Sequence, residues 1–144
     1  MSDPLTPADC DLRGLEWMPL YGARLLTSET WLRATPEARC AALTLWWASW
    51  HQVPAASLAD DDLLLSQLAG YGVAGVKQWR RIRDQAMRGW IKCSDGRLTV
   101  ARRIDPRTTI KNAGLLAKSG LIHSPVHSCI GNIRIPGSAK IQSG

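Results

Sequence analysis

The spacing of apolar residues changes several times along the chain, and each change marks an element. Thr35-Pro36-Glu37 supplies a capping hydroxyl, a proline at the first helical position and an acid in the first turn. From Glu37 to His51, ten of fifteen residues are apolar, among them Leu43, Leu45, Trp46, Trp47 and Trp50. A helix apolar on nearly every side is a buried central helix. Upstream, Thr27 or Ser28 caps a short helix near 27–33, with Glu29 in its first turn. Val53 to Leu58, broken by Pro54, reads as a linker or a very short strand. Asp60-Asp61-Asp62 then opens a helix through Leu63, Leu64, Leu65, Gln67 and Leu68, and Gly70-Tyr71-Gly72 stops it.

A further helix is expected from about Val73 to Arg88. On its wheel Val76, Trp79, Ile82, Ala86 and Met87 gather on one side, and Lys77, Arg80, Arg81, Asp84 and Arg88 on another. Arg83 falls inside the apolar arc, where it snorkels or reaches the acids at 60–62. Asp95-Gly96 between two apolar runs signals a hairpin. A two-residue turn there pairs Cys93 with Leu98 and Ile91 with Val100. Those four side chains then share one face, with Lys92 and Thr99 on the other.

The sequence divides into three stretches. Residues 1–16, polar with Pro4 and Pro7, read as a flexible arm. Residues 17–105 hold the folded domain. Residues 106–144 contain thirteen Pro, Gly or Ser in 39 positions and neither Trp nor Tyr, and read as a low-order C-terminal tail. Helix, linker, helix, tight turn, helix, hairpin is the order of a winged helix-turn-helix. The expected class is therefore α+β, mostly α, with a two-stranded wing.

Charge sharpens this picture. Residues 1–76 carry 4 basic and 9 acidic groups, whereas residues 77–103 carry 9 basic and 2 acidic. The basic block coincides with the last helix and the hairpin, the two elements that meet nucleic acid in such a fold. Lys77, Arg80, Arg81 and Arg88 are candidates for phosphate or base contact, and Lys92, Arg97, Arg102 and Arg103 for backbone contact from the wing. Arg80 or Arg81 has the fork that reads guanine bidentately. DNA is the expected partner, duplex before single-stranded. A charged face that only aids solubility has the same composition.

Other groups point to less. Trp79 lies on the apolar arc, so core packing outweighs stacking on bases for it; Trp90 is a second stacking candidate. Three consecutive acids at 60–62 point in different directions, which suits helix capping and not a metal. His123, His127 and Cys129 resemble half a zinc site that lacks a Cys-x-x-Cys knuckle. His51 ends a buried helix. No nucleophile elbow, phosphate loop or HExxH motif is present, so neither an enzyme nor a cofactor or metal is expected. With four scattered Cys, no signal sequence and no long apolar run, the expected setting is the cytoplasm, away from membranes.

The segment from Trp31 through Thr35-Pro36-Glu37 to Leu43-Thr44-Leu45-Trp46-Trp47 resembles the YdaU-like family, a prophage-associated domain of unknown function. So do Leu68-Ala69-Gly70, Trp79-Arg80-Arg81-Ile82-Arg83 and Asp95-Gly96-Arg97-Leu98, and the likeness spans roughly residues 17–103. The resemblance implies a winged-helix-like domain and a role in phage DNA replication or regulation. Arg33-Ala34-Thr35-Pro36-Glu37 departs slightly from the family's Leu-Thr-Pro-Glu. The alternative is a protein-interaction module, self-associating or gripping a host replication or defence protein. An exposed apolar patch of Trp17, Trp31 or Trp50 would favour it.

Overall fold

The computed structural model describes residues 2–100. They form an α+β unit, mostly helical, with one small antiparallel sheet. In chain order the elements are α1 (Gly22–Leu26), α2 (Glu29–Arg33), α3 (Pro36–Trp50), β1 (Ser57–Ala59), α4 (Asp62–Leu68), α5 (Val76–Ala86), β2 (Trp90–Lys92) and β3 (Arg97–Val100). The strands lie in the order β1-β3-β2. The C-terminal tail expected over 106–144, Arg102, Arg103, and the His123, His127 and Cys129 group lie outside the described residues.

The caps act as their side chains dictate. Ser28 Oγ accepts from Trp31 N, Thr35 Oγ1 from Ala38 N, and an Asp61 carboxylate oxygen from Leu63 N, at 3.2, 3.2 and 3.0 Å. Each bond satisfies an amide with no partner inside its own helix.

Helix α3 is central because both sides of it are needed. Ala42, Trp46 and Trp50 join one apolar cluster with Cys10, Leu12, Leu15, Leu25 and Val100. Ala38, Ala41 and Leu45 join a second with Leu58, Leu65, Trp79, Ile82 and Leu98. Trp46, Trp50 and Trp79 are fully buried. Thus Trp50 belongs to the core. Of the three tryptophans considered for a surface patch only Trp17 is exposed, while Trp31 packs against the first cluster beneath the Arg39 guanidinium.

Residues 2–16 are not a loose arm. Cys10 and Leu12 have no exposed surface, Thr6 Oγ1 donates to the Ala55 carbonyl at 2.9 Å, and Ser2 bridges to Cys93 beside the hairpin. A few apolar residues in a polar stretch suffice to anchor it, since burying one Leu side chain stabilises by about 1.5–3 kcal/mol.

The hairpin register also differs by one residue from the expected one. Trp90 lies opposite Val100, Ile91 opposite Thr99, and Lys92 opposite Leu98. Cys93 N donates to the Arg97 carbonyl, so three residues, Ser94-Asp95-Gly96, close the turn. Gly96 takes φ +78°, the left-handed conformation that ends such a three-residue loop. One extra residue in the loop shifts every pair and reverses the faces. Leu98 and Val100 enter the core, whereas Ile91 faces solvent and Thr99 is buried, its hydroxyl donating to the Ala56 carbonyl.

Candidate nucleic-acid interface

The turn before α5 is held from two directions. Gly70 and Gly72 adopt φ +93° and +69°, which L side chains resist. Ser66 Oγ donates to the Gly72 carbonyl, and the Tyr71 hydroxyl donates to a Glu37 carboxylate oxygen on α3, both at 2.7 Å. Burial and the Glu37 carboxylate together push the Tyr71 phenol up to about 12. Gly75 is required for a different reason: a Cβ there would run into the Tyr71 carbonyl oxygen.

Held in this way, α5 buries Trp79, Ile82 and Ala86 and exposes Lys77, Gln78, Arg80, Arg81 and Asp84. Gln85, on its flank, accepts a hydrogen bond from Thr35 N at 3.0 Å. The cations expected to act together fall into three groups.

Arg80 and Lys92 are engaged by acids. Asp62 is the hub. Its carboxylate accepts from Arg83 Nε at 2.8 Å, Arg80 Nε at 3.2 Å and the Trp79 indole at 3.3 Å. Asp60 accepts from Arg83 Nη2 at 3.1 Å and Lys92 Nζ at 3.0 Å. Burial pushes the Asp62 carboxyl up, but hydrogen bonds from Arg80 and Trp79 and the charge and hydrogen bond of Arg83 outweigh it and hold it below its ordinary value. Arg83 therefore reaches the acids across the helix pair, with a side chain 32% exposed, and this explains an arginine inside an apolar arc.

Arg97 forms the second group. Side chains alternate along a strand, so when Leu98 enters the core its neighbours face away from α5. Arg97 Nε donates to Ser57 Oγ at 2.8 Å and lines a small depression with Pro4, Thr6 and Pro54. It is not part of a continuous stripe with the helix.

Lys77, Arg81 and Arg88 are the third group. All three are exposed, and none makes a side-chain hydrogen bond or ion pair with another described residue. Among the described cations of α5 and the hairpin, these three are free to meet an external anion.

The aspartate triplet has the roles its geometry allows: Asp61 caps α4, and Asp60 and Asp62 bind cations of α5 and β2. Among the described residues no cluster of His, Cys, Asp and Glu is arranged to hold a metal ion, and no helix is long and apolar enough to cross a membrane. The Trp79 ring is core, and Trp90 packs between the two clusters. His51 Nδ1 lies 3.0 Å from the Trp47 carbonyl, and its ring packs on the exposed Trp47 ring. Comparison with protein-family models, with characterised proteins and with solved structures returned no match to this chain.

Proposed function

We propose that the fold is a winged helix-turn-helix domain that binds duplex DNA through the exposed face of α5, with β2 and β3 as its wing. The observation that carries this reading is the coincidence of topology with free charge. The order α3-β1-α4-α5-β2-β3, with strands arranged β1-β3-β2, supports reading α5 as a recognition helix. On that helix and the turn after it, Lys77, Arg81 and Arg88 have no partner among the described residues. The chemistry is recognition and not reaction, in the cytoplasm. The likeness to the YdaU-like prophage family supports a setting in phage replication or regulation.

The test is a binding titration of the full chain against duplex DNA, single-stranded DNA and RNA at two salt concentrations. Binding to duplex should weaken steeply with salt. Arg81→Ala should lower the salt slope by about 0.9, the value of one phosphate contact, and weaken binding about eightfold at 0.1 M salt. Arg80→Ala should change the slope far less, because Arg80 already neutralises Asp62. No duplex binding at low salt overturns the reading.

One observation favours the rival, an interaction module or self-association. Trp17, Leu26 and Leu32 are 48%, 59% and 65% exposed in the first part of the fold, away from the cationic helix in sequence. Sedimentation across salt concentrations, with Leu32→Ser as the variant, distinguishes the two. Salt-insensitive dimerisation lost in Leu32→Ser supports the rival.

A further inference from the structure

Asp84 is out of place on a surface meant only for phosphates. It sits on the exposed face of α5, three positions after Arg81 and seven after Lys77, which is about 10 Å along the helix axis from Lys77. Arg88 follows four positions later. Of its helix neighbours, Arg81 and Arg88 are cations with no partner among the described residues, whereas Arg80 is held by Asp62. Asp84 itself makes no side-chain hydrogen bond or ion pair with another described residue, although Arg80, Arg81 and Arg88 all stand at helix-neighbour spacing. The contrast with Asp60 and Asp62 is direct: those acids are consumed by Arg80, Arg83 and Lys92, whereas this one is left bare.

A bare carboxylate in the middle of a cationic face opposes binding to any polyanion. It also presents acceptors only, with no donor. In the major groove, cytosine N4 is an amino donor that an Asp or Glu carboxylate accepts from, while guanine offers only acceptors, O6 and N7, on its major-groove edge. We propose that Asp84 is a specificity-determining residue: it accepts from the exocyclic amine of one cytosine in the target duplex and repels guanine acceptors and phosphates from that position. This inference rests on the DNA-binding reading above and deepens it. Lys77, Arg81 and Arg88 supply attraction, and Asp84 decides where that attraction is allowed.

The experiment is selection of bound sites from a randomised duplex pool by the full chain, run with the native protein, Asp84→Ala, Asp84→Asn and Asp84→Glu. Each protein is also titrated against a fixed non-selected duplex. Asp84 is exposed and unpaired, so the variants should melt within about 2 °C of the native protein, which thermal denaturation checks. The native protein should enrich cytosine at one position by about tenfold over guanine. Asp84→Ala should lose that preference and bind the non-selected duplex several-fold more tightly. Asp84→Asn should move the preference towards adenine, whose N6 and N7 match an amide. Asp84→Glu should keep cytosine. Identical enriched sites for the native protein and Asp84→Ala, with affinity merely raised, would overturn the inference and leave DNA binding standing. No duplex binding by the native chain would overturn both.

Discussion

Arg83→Met tests the claim that the two acids organise the α4–α5 pair. Arg83 places Nε on Asp62 and Nη2 on Asp60, with the three side chains 32%, 31% and 27% exposed. Solvent-exposed ion pairs contribute up to about 1 kcal/mol, and truncating one partner of a buried pair costs about 3–5 kcal/mol. Roughly one-third exposure lies between these limits. Neither acid is stranded by the substitution, since Asp62 keeps Arg80 and Trp79, and Asp60 keeps Lys92. Methionine also retains much of the buried stem. These two facts pull the expected loss down to about 1.5 kcal/mol, within the range between exposed and buried pairs. For a domain of this size that lowers Tm by about 6–12 °C. The assay is thermal unfolding followed by circular dichroism at 20 mM and 1 M salt. At 1 M the Debye length is about 3 Å, so the gap between native and variant should narrow. Arg83→Lys, which keeps charge but cannot span both acids, should fall between them. A Tm change under about 2 °C at low salt, or a gap that salt leaves unchanged, would refute the reasoning.

Three further outcomes follow from other contacts. Tyr71→Phe should lose about 1 kcal/mol at neutral pH with the bond to Glu37, read from urea midpoints. Because the folded phenol titrates near 12 and its ordinary value is 10.0, the native stability attributable to it is complete below pH 10 and disappears as pH rises through 12; the variant should lack this alkaline limb. For Asp62 the sign is opposite: its folded value lies below 3.8, so its contribution is complete above that pH and is lost as pH falls through the lowered value, and Asp62→Asn should flatten the acid limb of the stability profile. Gly75→Ala should cost about 1–3 kcal/mol, because the atom met is backbone and cannot swing aside, whereas Gly22→Ala meets nothing and should be neutral or slightly stabilising by the same denaturation assay.

Helices α2, α3 and α4 and the stop after α4 were legible because local chemistry marks them: Ser28, Thr35 and Asp61 cap, Pro36 starts, and Gly70 and Gly72 turn. The apolar arc of α5 was equally plain, although the helix begins at Val76 and not Val73. What failed depended on partners distant in sequence. Leu12 and Cys10 give no periodic signal, yet they fill the space beside Trp46 and Trp50. Residues 53–58 read as a linker or a very short strand, and the strand, Ser57–Ala59, is settled only by the free edge that β3 offers it. The hairpin register turned on whether the loop holds two residues or three, and both readings use the same Asp-Gly pair. The cationic stripe was visible as composition, but its division was not. Only folding shows that Arg80 and Lys92 meet Asp62 and Asp60, that Arg97 faces the N-terminal segment, and that Lys77, Arg81 and Arg88 are left over.

The two apolar clusters share their walls. Helix α3 gives Trp46 to one and Leu45 to the other, and β3 gives Val100 to one and Leu98 to the other. Neither half can therefore melt and leave its companion intact. Loss of structure should be a single all-or-none event, in which indole fluorescence, dominated by the shared interior, and backbone ellipticity follow one curve. An N-terminal lesion such as Leu12→Ala, far along the chain from α5, should loosen that helix as surely as damage beside it.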